Sequence, residues 1–307
     1  MNQKRKHTSV MLEECLKGFE GCHLPVFFEG TVGAGGHAEA ILSAHPEIER
    51  YIACDQDPEA LELAKERLTP WKDKVEFVRA NFKDLDEVLK ARNVEWVNGF
   101  FFDFGVSSMQ LDQGEKGFSF MREGPLDMRM DPDGQLTAKE VVNSYSEKKL
   151  GEIFQTVGEE PHWRKAARAI ISARKNKPIE TTQELSSLMT EALAFKRGGK
   201  LHPATLVFQA LRIVVNQELE AIEIGLKKAL DFLTPQGRVG TIAFHSLEDR
   251  IVKNMFRSAC FKPKSKTGKG FLNLLTKKPW MPSFKEAKKN PRSRSAKMRF
   301  AEKIAAL

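Results

Sequence analysis

An apolar run that ends in glycines, followed at a fixed distance by a second apolar run that ends in an acid, constrains this chain more than any other feature. Pro25-Val26-Phe27-Phe28-Glu29 leads into Gly30-Thr31-Val32-Gly33-Ala34-Gly35-Gly36-His37. A helical pattern through Ala40, Ile41 and Leu42 follows, and Arg50-Tyr51-Ile52-Ala53-Cys54-Asp55 then reads as a second buried strand by its length and flanks. Asp57 is placed as an N-cap and Pro58 as the first helical residue, with Leu61, Ala64 and Leu68 on one face. Val75-Glu76-Phe77-Val78 and Asn98-Gly99-Phe100-Phe101-Phe102-Asp103 supply a third and a fourth strand. Such alternation predicts an α/β fold, a mostly parallel twisted sheet with helices on both faces.

The rhythm stops after Leu111. From Asp112 to about Pro203 the patterns are helical, as in Trp163 to Arg174 and Thr182 to Phe195, and no strand is expected. A long helix opens at Thr205, Leu233 to Gly237 makes a turn, and Arg238 to Phe244 is another buried strand. The expected organisation is therefore a core of residues 1–111 and 204–307, carrying an inserted helical subdomain over 112–203 for substrate recognition. Near the end, Lys297 to Glu302 alternates as an edge or hairpin strand would.

In an open parallel sheet, ligands bind at the carboxyl ends of the strands, near the point where the strand order reverses. The glycine loop lets a cofactor approach the backbone closely, and Asp55, 20 residues beyond Gly35, suits two ribose hydroxyls. That geometry serves a nicotinamide dinucleotide and S-adenosylmethionine alike. Phe82, after the third strand, is a candidate for an adenine face. Asp103 ends a wholly apolar strand, where a carboxylate must be paired or must serve a site. Gln110 has no such argument from spacing.

Charge points to a partner. From Phe261 to Leu307, fourteen Lys and Arg face only Glu286 and Glu302, a net of +12, whereas the whole chain carries +8 and the first 260 residues therefore sum to −4. Lys288, Lys289, Arg292, Arg294 and the Lys262–Lys269 cluster are candidates to neutralise nucleic-acid phosphates. The four cysteines lack CxxC spacing, which speaks against a zinc site or a disulfide framework and suits a reducing cytoplasm. No apolar run of about 18 residues spans a membrane. The basic N-terminus has no apolar segment behind it, so secretion is not expected.

Several blocks in order make the chain recognisable. They are His7-Thr8-Ser9-Val10-Met11-Leu12, Glu29 to His37, Asp103-Phe104-Gly105-Val106-Ser107-Ser108, and Gly117-Phe118-Ser119-Phe120-Met121-Arg122. Gly124 to Asp131, His202-Pro203-Ala204-Thr205, Phe244 to Arg250 and Asn290 to Ser295 complete the set. Together they resemble the bacterial 16S rRNA cytosine-N4 methyltransferase family nearly end to end. The resemblance implies a Rossmann-like class I methyltransferase and S-adenosyl-L-methionine as cofactor. It further implies methylation of a cytidine in the decoding centre (P-site region) of 16S rRNA, with 16S rRNA or the small ribosomal subunit as partner. Carried over by position, the family's cofactor contacts fall on Gly35, Gly36, His37, Asp55, Phe82, Asp103 and Gln110. Phe104 and Met109 depart from the family's usual Asp-Leu-Gly-Val-Ser-Ser-Pro-Gln, and Thr31 stands where methyltransferases in general have a first glycine.

An exocyclic cytosine amine is a poor nucleophile, so the protein must chiefly align nitrogen, methyl carbon and sulfur. Asp103 is the first candidate to accept a hydrogen bond from that amine, with His245 and Asp127 behind it. Ser246 to Asp249 also fits a helix capping box, and His245 a satisfied core histidine. Two other classes stand beside this reading. A nicotinamide oxidoreductase would use the same loop but leaves the basic segment unexplained; a non-catalytic ribosome-assembly factor leaves Asp103 unexplained.

Overall fold

The first four expected strands form, each within a residue of its expected start. In the computed structural model, which describes residues 9–193, 201–260 and 270–304, helix α1 (Leu12–Phe19) precedes β1 (Val26–Glu29), α2 (Gly36–Ala44) and β2 (Arg50–Asp55). Then come α3 (Pro58–Arg67), β3 (Val75–Arg79), α4 (Leu85–Lys90) and β4 (Val97–Asp103). Six helices follow: α5 (Ser108–Asp112), α6 (Ala138–Ser144), α7 (Glu147–Thr156), α8 (Trp163–Arg174), α9 (Thr182–Leu193) and α10 (Thr205–Val215). The last elements are α11 (Glu218–Phe232), β5 (Leu233–Ala243), α12 (Ser246–Ala259), β6 (Leu272–Leu274), α13 (Phe284–Lys289) and β7 (Lys297–Lys303). Asp57 caps α3 as expected, its side chain accepting from Glu59 N–H with Pro58 first in the helix.

The chain divides into two units, Met1–Gly105 with Leu219–Leu307, and Val106–Glu218. The first holds a seven-stranded sheet in the order β3-β2-β1-β4-β5-β7-β6. β1 to β5 are parallel, and β7 lies antiparallel to both β5 and β6. This is the Rossmann-like arrangement of a class I methyltransferase. β1 pairs with β2 on one side and β4 on the other, so the order reverses there and the tips of β1 and β4 come side by side.

Both faces of the sheet are filled, which is why its strands read as unbroken apolar runs. Phe28, Ile52, Phe100 and Phe102 pack with Leu85 of α4, Ile222 of α11 and Val252 of α12. Phe27, Tyr51, Phe101 and Phe300 face the other way, onto Phe19 of α1, Ile41 of α2 and Leu61 of α3. Each such Phe, fully buried, contributes about 1.5–3 kcal/mol. Phe300 needs room from two sides: a Cβ on Gly18 or on Gly240 would fall into its ring.

Three expectations require correction. Lys297 to Glu302 reads as an edge or hairpin strand; β7 is antiparallel to the preceding β6, but it is not an edge, since it lies between β5 and β6 with four consecutive buried residues and the edge belongs to the short β6. Pairing of β5 begins at Leu233, opposite Val97, and not at Arg238. The expected turn is an irregularity inside β5, with Gln236 at φ 65°. Finally, α10 belongs to the inserted unit and not to the core: Val207, Phe208 and Leu211 join a hydrophobic cluster with Phe154, Ile170 and Met189. Asn216, at its end, donates to Met128 O at 2.7 Å and accepts from Met130 N–H at 2.8 Å, which ties the helix to the Asp127–Met130 loop. Among the described residues no helix is long and apolar enough to cross a membrane.

One buried acid lies among the apolar side chains. Glu29 and Tyr51 are both fully buried, and the phenol donates to Glu29 Oε2 at 2.6 Å. Burial pushes the Glu29 carboxyl up to about 8, aided by the charges of Asp103 and Asp55 and opposed by Tyr51. Because the folded pKa exceeds the unfolded one, ionisation favours unfolding, and stability falls as pH rises from about 5 through 8. Tyr51→Phe removes a donor that favours the ionised form. It should cost about 1–3 kcal/mol in denaturant unfolding, more at pH 9 than at pH 5; a deficit that shrinks with pH would refute this role for the phenol.

Candidate active site

Asp55 ends β2 and fixes the glycine loop. Its Oδ2 accepts from Gly33 N–H at 2.8 Å and its Oδ1 from Asp57 N–H at 2.9 Å. Burial raises its pKa to about 6, partly offset by these N–H groups. Gly33 and Gly35 have φ of 51° and 77°, the left-handed region that favours glycine. Val32 N–H donates to Cys54 O and Gly35 N–H to Val32 O, closing the turn before Gly36 opens α2. A Cβ on Gly36 would collide with Ser9 Oγ.

Phe82 follows β3 in a short 3₁₀ turn capped by Asn81. It is half-buried, with its ring centroid 5.5 Å from Phe102 and 5.8 Å from Phe104. Gly30 and Gly225 both lie so close that a Cβ on either would strike Phe82 or Phe102. One part of the ring is therefore core, and the remainder is available to a flat partner.

Asp103 ends β4. Its N–H donates to Thr31 Oγ1 at 2.7 Å, which gives a physical role to the residue that replaces a glycine in the loop. Its Oδ2 lies 3.7 Å from His37 Nδ1, while its Oδ1 is enclosed and has no hydrogen-bond partner among the described residues. Burial pushes the carboxyl up to about 8, with repulsion from Glu248 adding to the shift. His37 itself is buried, packs on Phe101 at 4.9 Å and meets Val10 O through Nε2 at 2.9 Å.

His245 stands just past β5, at the N-cap of α12. The capping box runs from His245 to Glu248, one residue earlier than the Ser246–Asp249 box expected from sequence. Glu248 Oε2 accepts from Phe244 N–H at 2.7 Å and His245 N–H at 3.2 Å, and Oε1 lies 3.0 Å from His245 Nε2. Asp249 is bound to Arg299 instead, at 2.7 Å. The first unit thus gathers Gly35, Gly36, His37, Asp55, Phe82, Asp103 and His245 at the carboxyl ends of its strands.

Gln110 and Asp127 belong to the second unit. Gln110 completes a capping box with Ser107: Ser107 N–H donates to its Oε1 at 3.0 Å, and its own N–H donates to Ser107 Oγ at 3.2 Å. That S-x-x-Q spacing is a helix-start signature in its own right. The Asp127 carboxylate is held by Arg129, whose Nε and Nη2 reach Oδ1 and Oδ2 at 2.9 and 2.8 Å. Burial alone would raise its pKa, but the Arg129 hydrogen bonds prevail and hold it below the usual range.

Lys288 and Lys289 end α13, and Arg292 and Arg294 lie in the 3₁₀ turn Pro291–Ser295; all four are exposed. The Lys262–Lys269 cluster, His7 and Thr8 lie outside the described residues.

The model of the MraW methylase family matches residues 4–304. This chain belongs to the MraW methylase family. Curated relatives named ribosomal RNA small subunit methyltransferase H agree along nearly their whole length. The one from Protochlamydia amoebophila is 51% identical over 97% of each chain, and the one from Sulfurihydrogenibium sp. is 48% identical over 97% of this chain and 99% of its own. That from Chlamydia trachomatis serovar L2 is 46% identical over 99% of this chain and 98% of its own. Membership in a methylase family settles what the glycine loop left open: the cofactor is S-adenosylmethionine and not a nicotinamide.

The residues present fit such a donor, because the enclosed Asp103 oxygen lacks a partner among the described residues and the glycine loop admits close approach. Thr31 is the residue that sequence reasoning marks only as a departure. Thr31→Val should leave the Asp103 N–H without an acceptor and cost about 1–3 kcal/mol, with weaker S-adenosylmethionine binding in calorimetry. Thr31→Ser should keep most of both; equal behaviour of the two variants would show the hydroxyl to be irrelevant.

Proposed function

We propose that this chain methylates the exocyclic N4 of a cytidine in the decoding centre (P-site region) of 16S rRNA, with S-adenosylmethionine as donor. The observation that carries the reading is the enclosed Asp103 oxygen at the tip of β4, without a hydrogen-bond partner among the described residues and next to the loop that Asp55 anchors. Sequence identity near one half with proteins named for small-subunit rRNA methylation supports the substrate. An rRNA substrate also supports a cytoplasmic place for the protein.

The bound donor supplies a methyl group already activated on a sulfonium. The backbone at Gly33 to Gly36 gives it access. Each Asp55 oxygen has a lone pair beyond the one used by Gly33 or Asp57, so the carboxylate can also accept from ribose hydroxyls. Phe82 offers its remaining face to the adenine. Asp103 accepts a hydrogen bond from the cytosine amine, drawing nitrogen toward tetrahedral geometry as positive charge develops on it. Burial and Glu248 hold the Asp103 carboxyl high, and the positive charge of a bound donor would lower it toward the ionised form that accepts this hydrogen bond. His245 and Asp127 are better read as positioning groups, since one caps α12 and the other is held by Arg129. The inserted unit, Val106–Glu218, is left to recognise the RNA around the cytidine.

Purified protein, labelled S-adenosylmethionine and 16S rRNA or small-subunit particles test this directly. The label should appear in N4-methylcytidine by mass mapping of nucleosides, and Asp103→Ala should lower turnover by about 10²-fold or more. Label in another nucleoside, or undiminished turnover in the variant, would overturn the assignment. Removing the charges of Lys288, Lys289, Arg292 and Arg294 together should weaken RNA binding and flatten its salt dependence, by roughly 0.7 for each phosphate no longer neutralised. An unchanged slope would remove this segment from the RNA interface.

A further inference from the structure

Met11 is fully buried and left-handed, with φ 53° and ψ 41°, although it is not a glycine. Left-handed backbone costs an L-residue about 1–2 kcal/mol, so it persists only where the surroundings fix it. Here one peptide group is fixed from both sides. The N–H of Met11 donates to Glu286 Oε1 at 2.8 Å, and the C=O of Val10, in the same peptide plane, accepts from His37 Nε2 at 2.9 Å. Since a carbonyl only accepts, Nε2 carries the imidazole proton. Nδ1 is then turned toward Asp103 Oδ2, 3.7 Å away.

Glu286 is also out of its usual local role. It is the third residue of α13, and Ser283 caps that helix by accepting from Glu286 N–H at 3.1 Å. An acid at that position normally reaches back to the cap residue's N–H. Glu286 instead turns to Met11, 275 positions away in sequence. It does so against its environment, because burial raises its pKa and Glu14 and Glu13 add repulsion. A local rule set aside at a cost marks a site where something else is gained.

We propose that Glu286 is a positioning residue for methyl transfer: through the rigid Val10–Met11 peptide it sets His37, and through His37 the Asp103 carboxyl, so that RNA on α13 is registered at the donor site. A trans peptide moves as one plate, so a shift of its N–H partner reorients the carbonyl on the opposite side. α13 has six residues, too few to hold its shape by propensity alone, and phosphates on Lys288 and Lys289 would steady it. Linkage then requires that RNA tighten donor binding and that the donor tighten RNA binding by the same factor. The inference rests on the reading that Asp103 borders the donor site.

Calorimetry of S-adenosylmethionine on the full chain, with and without a 16S rRNA transcript, tests it. For the wild type, RNA should tighten donor binding by about fivefold or more. Glu286→Ala should weaken donor binding and abolish the RNA effect, and Glu286→Gln, which keeps an acceptor for Met11 N–H, should restore most of both. His37→Gln keeps a donor toward Val10 O and loses the ring nitrogen beside Asp103. Adding Glu286→Ala to it should have little further effect, because the two act in series. Wild-type donor affinity and RNA enhancement in Glu286→Ala would overturn the proposal, as would a Gln variant no better than Ala. A wild type that binds no S-adenosylmethionine would instead refute the donor-site reading, and this inference with it.

Discussion

Parallel strands buried on both faces send every polar group at their tips to one edge, and an acid there must find a partner or give up its charge. Three acids meet this constraint within one sheet edge. Glu29 is resolved in part, by the Tyr51 phenol on Oε2 while Oε1 is enclosed with no partner among the described residues, and Asp55 by the N–H groups of Gly33 and Asp57. Asp103 has less still: one oxygen stands 3.7 Å from an imidazole and the other, like Glu29 Oε1, has no partner among the described residues. The three also act on one another, since Asp103 and Asp55 both raise the pKa of Glu29. Adding positive charge at this edge therefore relieves all three at once. That is the electrostatic setting a cationic methyl donor requires.

The sheet, Asp55 and Asp103 are readable from sequence because each depends on local information. Apolar runs of strand length, a glycine loop and an acid at a run's end lie within a few residues of one another. What escapes reading depends on partners distant in the chain. β7 is buried on both sides because β6, only three residues long, covers its outer edge, and nothing in Leu272–Leu274 announces a strand. The extent of the inserted unit is set by Asn216 reaching Met128 and Met130, 88 and 86 positions away. The capping box of α12 is displaced by one residue for a different reason. His245 is not among the usual cap residues, and Asp249, the acid of the expected box, is taken by Arg299.

The basic C-terminal segment shows why a net charge is not yet an interface. Arg299 pairs with Asp249, and Lys303 donates to Leu230 O and Leu233 O, so both cations serve the sheet. Of the acids in that segment, Glu302 is bound to Arg238 at 2.8 Å. Lys288, Lys289, Arg292 and Arg294 remain exposed on one short stretch of chain. The last turn of α13 favours Lys288 and Lys289 through the helix dipole, which is a reason for their presence without RNA. Arg294 serves that turn as well, its Nε donating to Ala287 O at 3.2 Å, while Arg292 lies beyond the helix in a separate turn.

That same stretch carries an acid that points inward. Glu286 binds the turn that enters α1 while its neighbours Lys285, Lys288 and Lys289 are exposed. The N-terminal segment is in turn packed on the glycine loop, with Ser9 against Gly36 and Val10 O against His37. A hydrogen bond across 275 positions ties together two chain segments, one packed on the glycine loop and the other carrying the exposed cations. Neither segment lies in a regular strand of the sheet, and the Met11–Glu286 hydrogen bond joins them beside the apolar packing of Met11 in the core. Parallel strands supply a rigid edge; the Val10–Met11 peptide supplies an element at that edge whose position depends on segments from both ends of the chain.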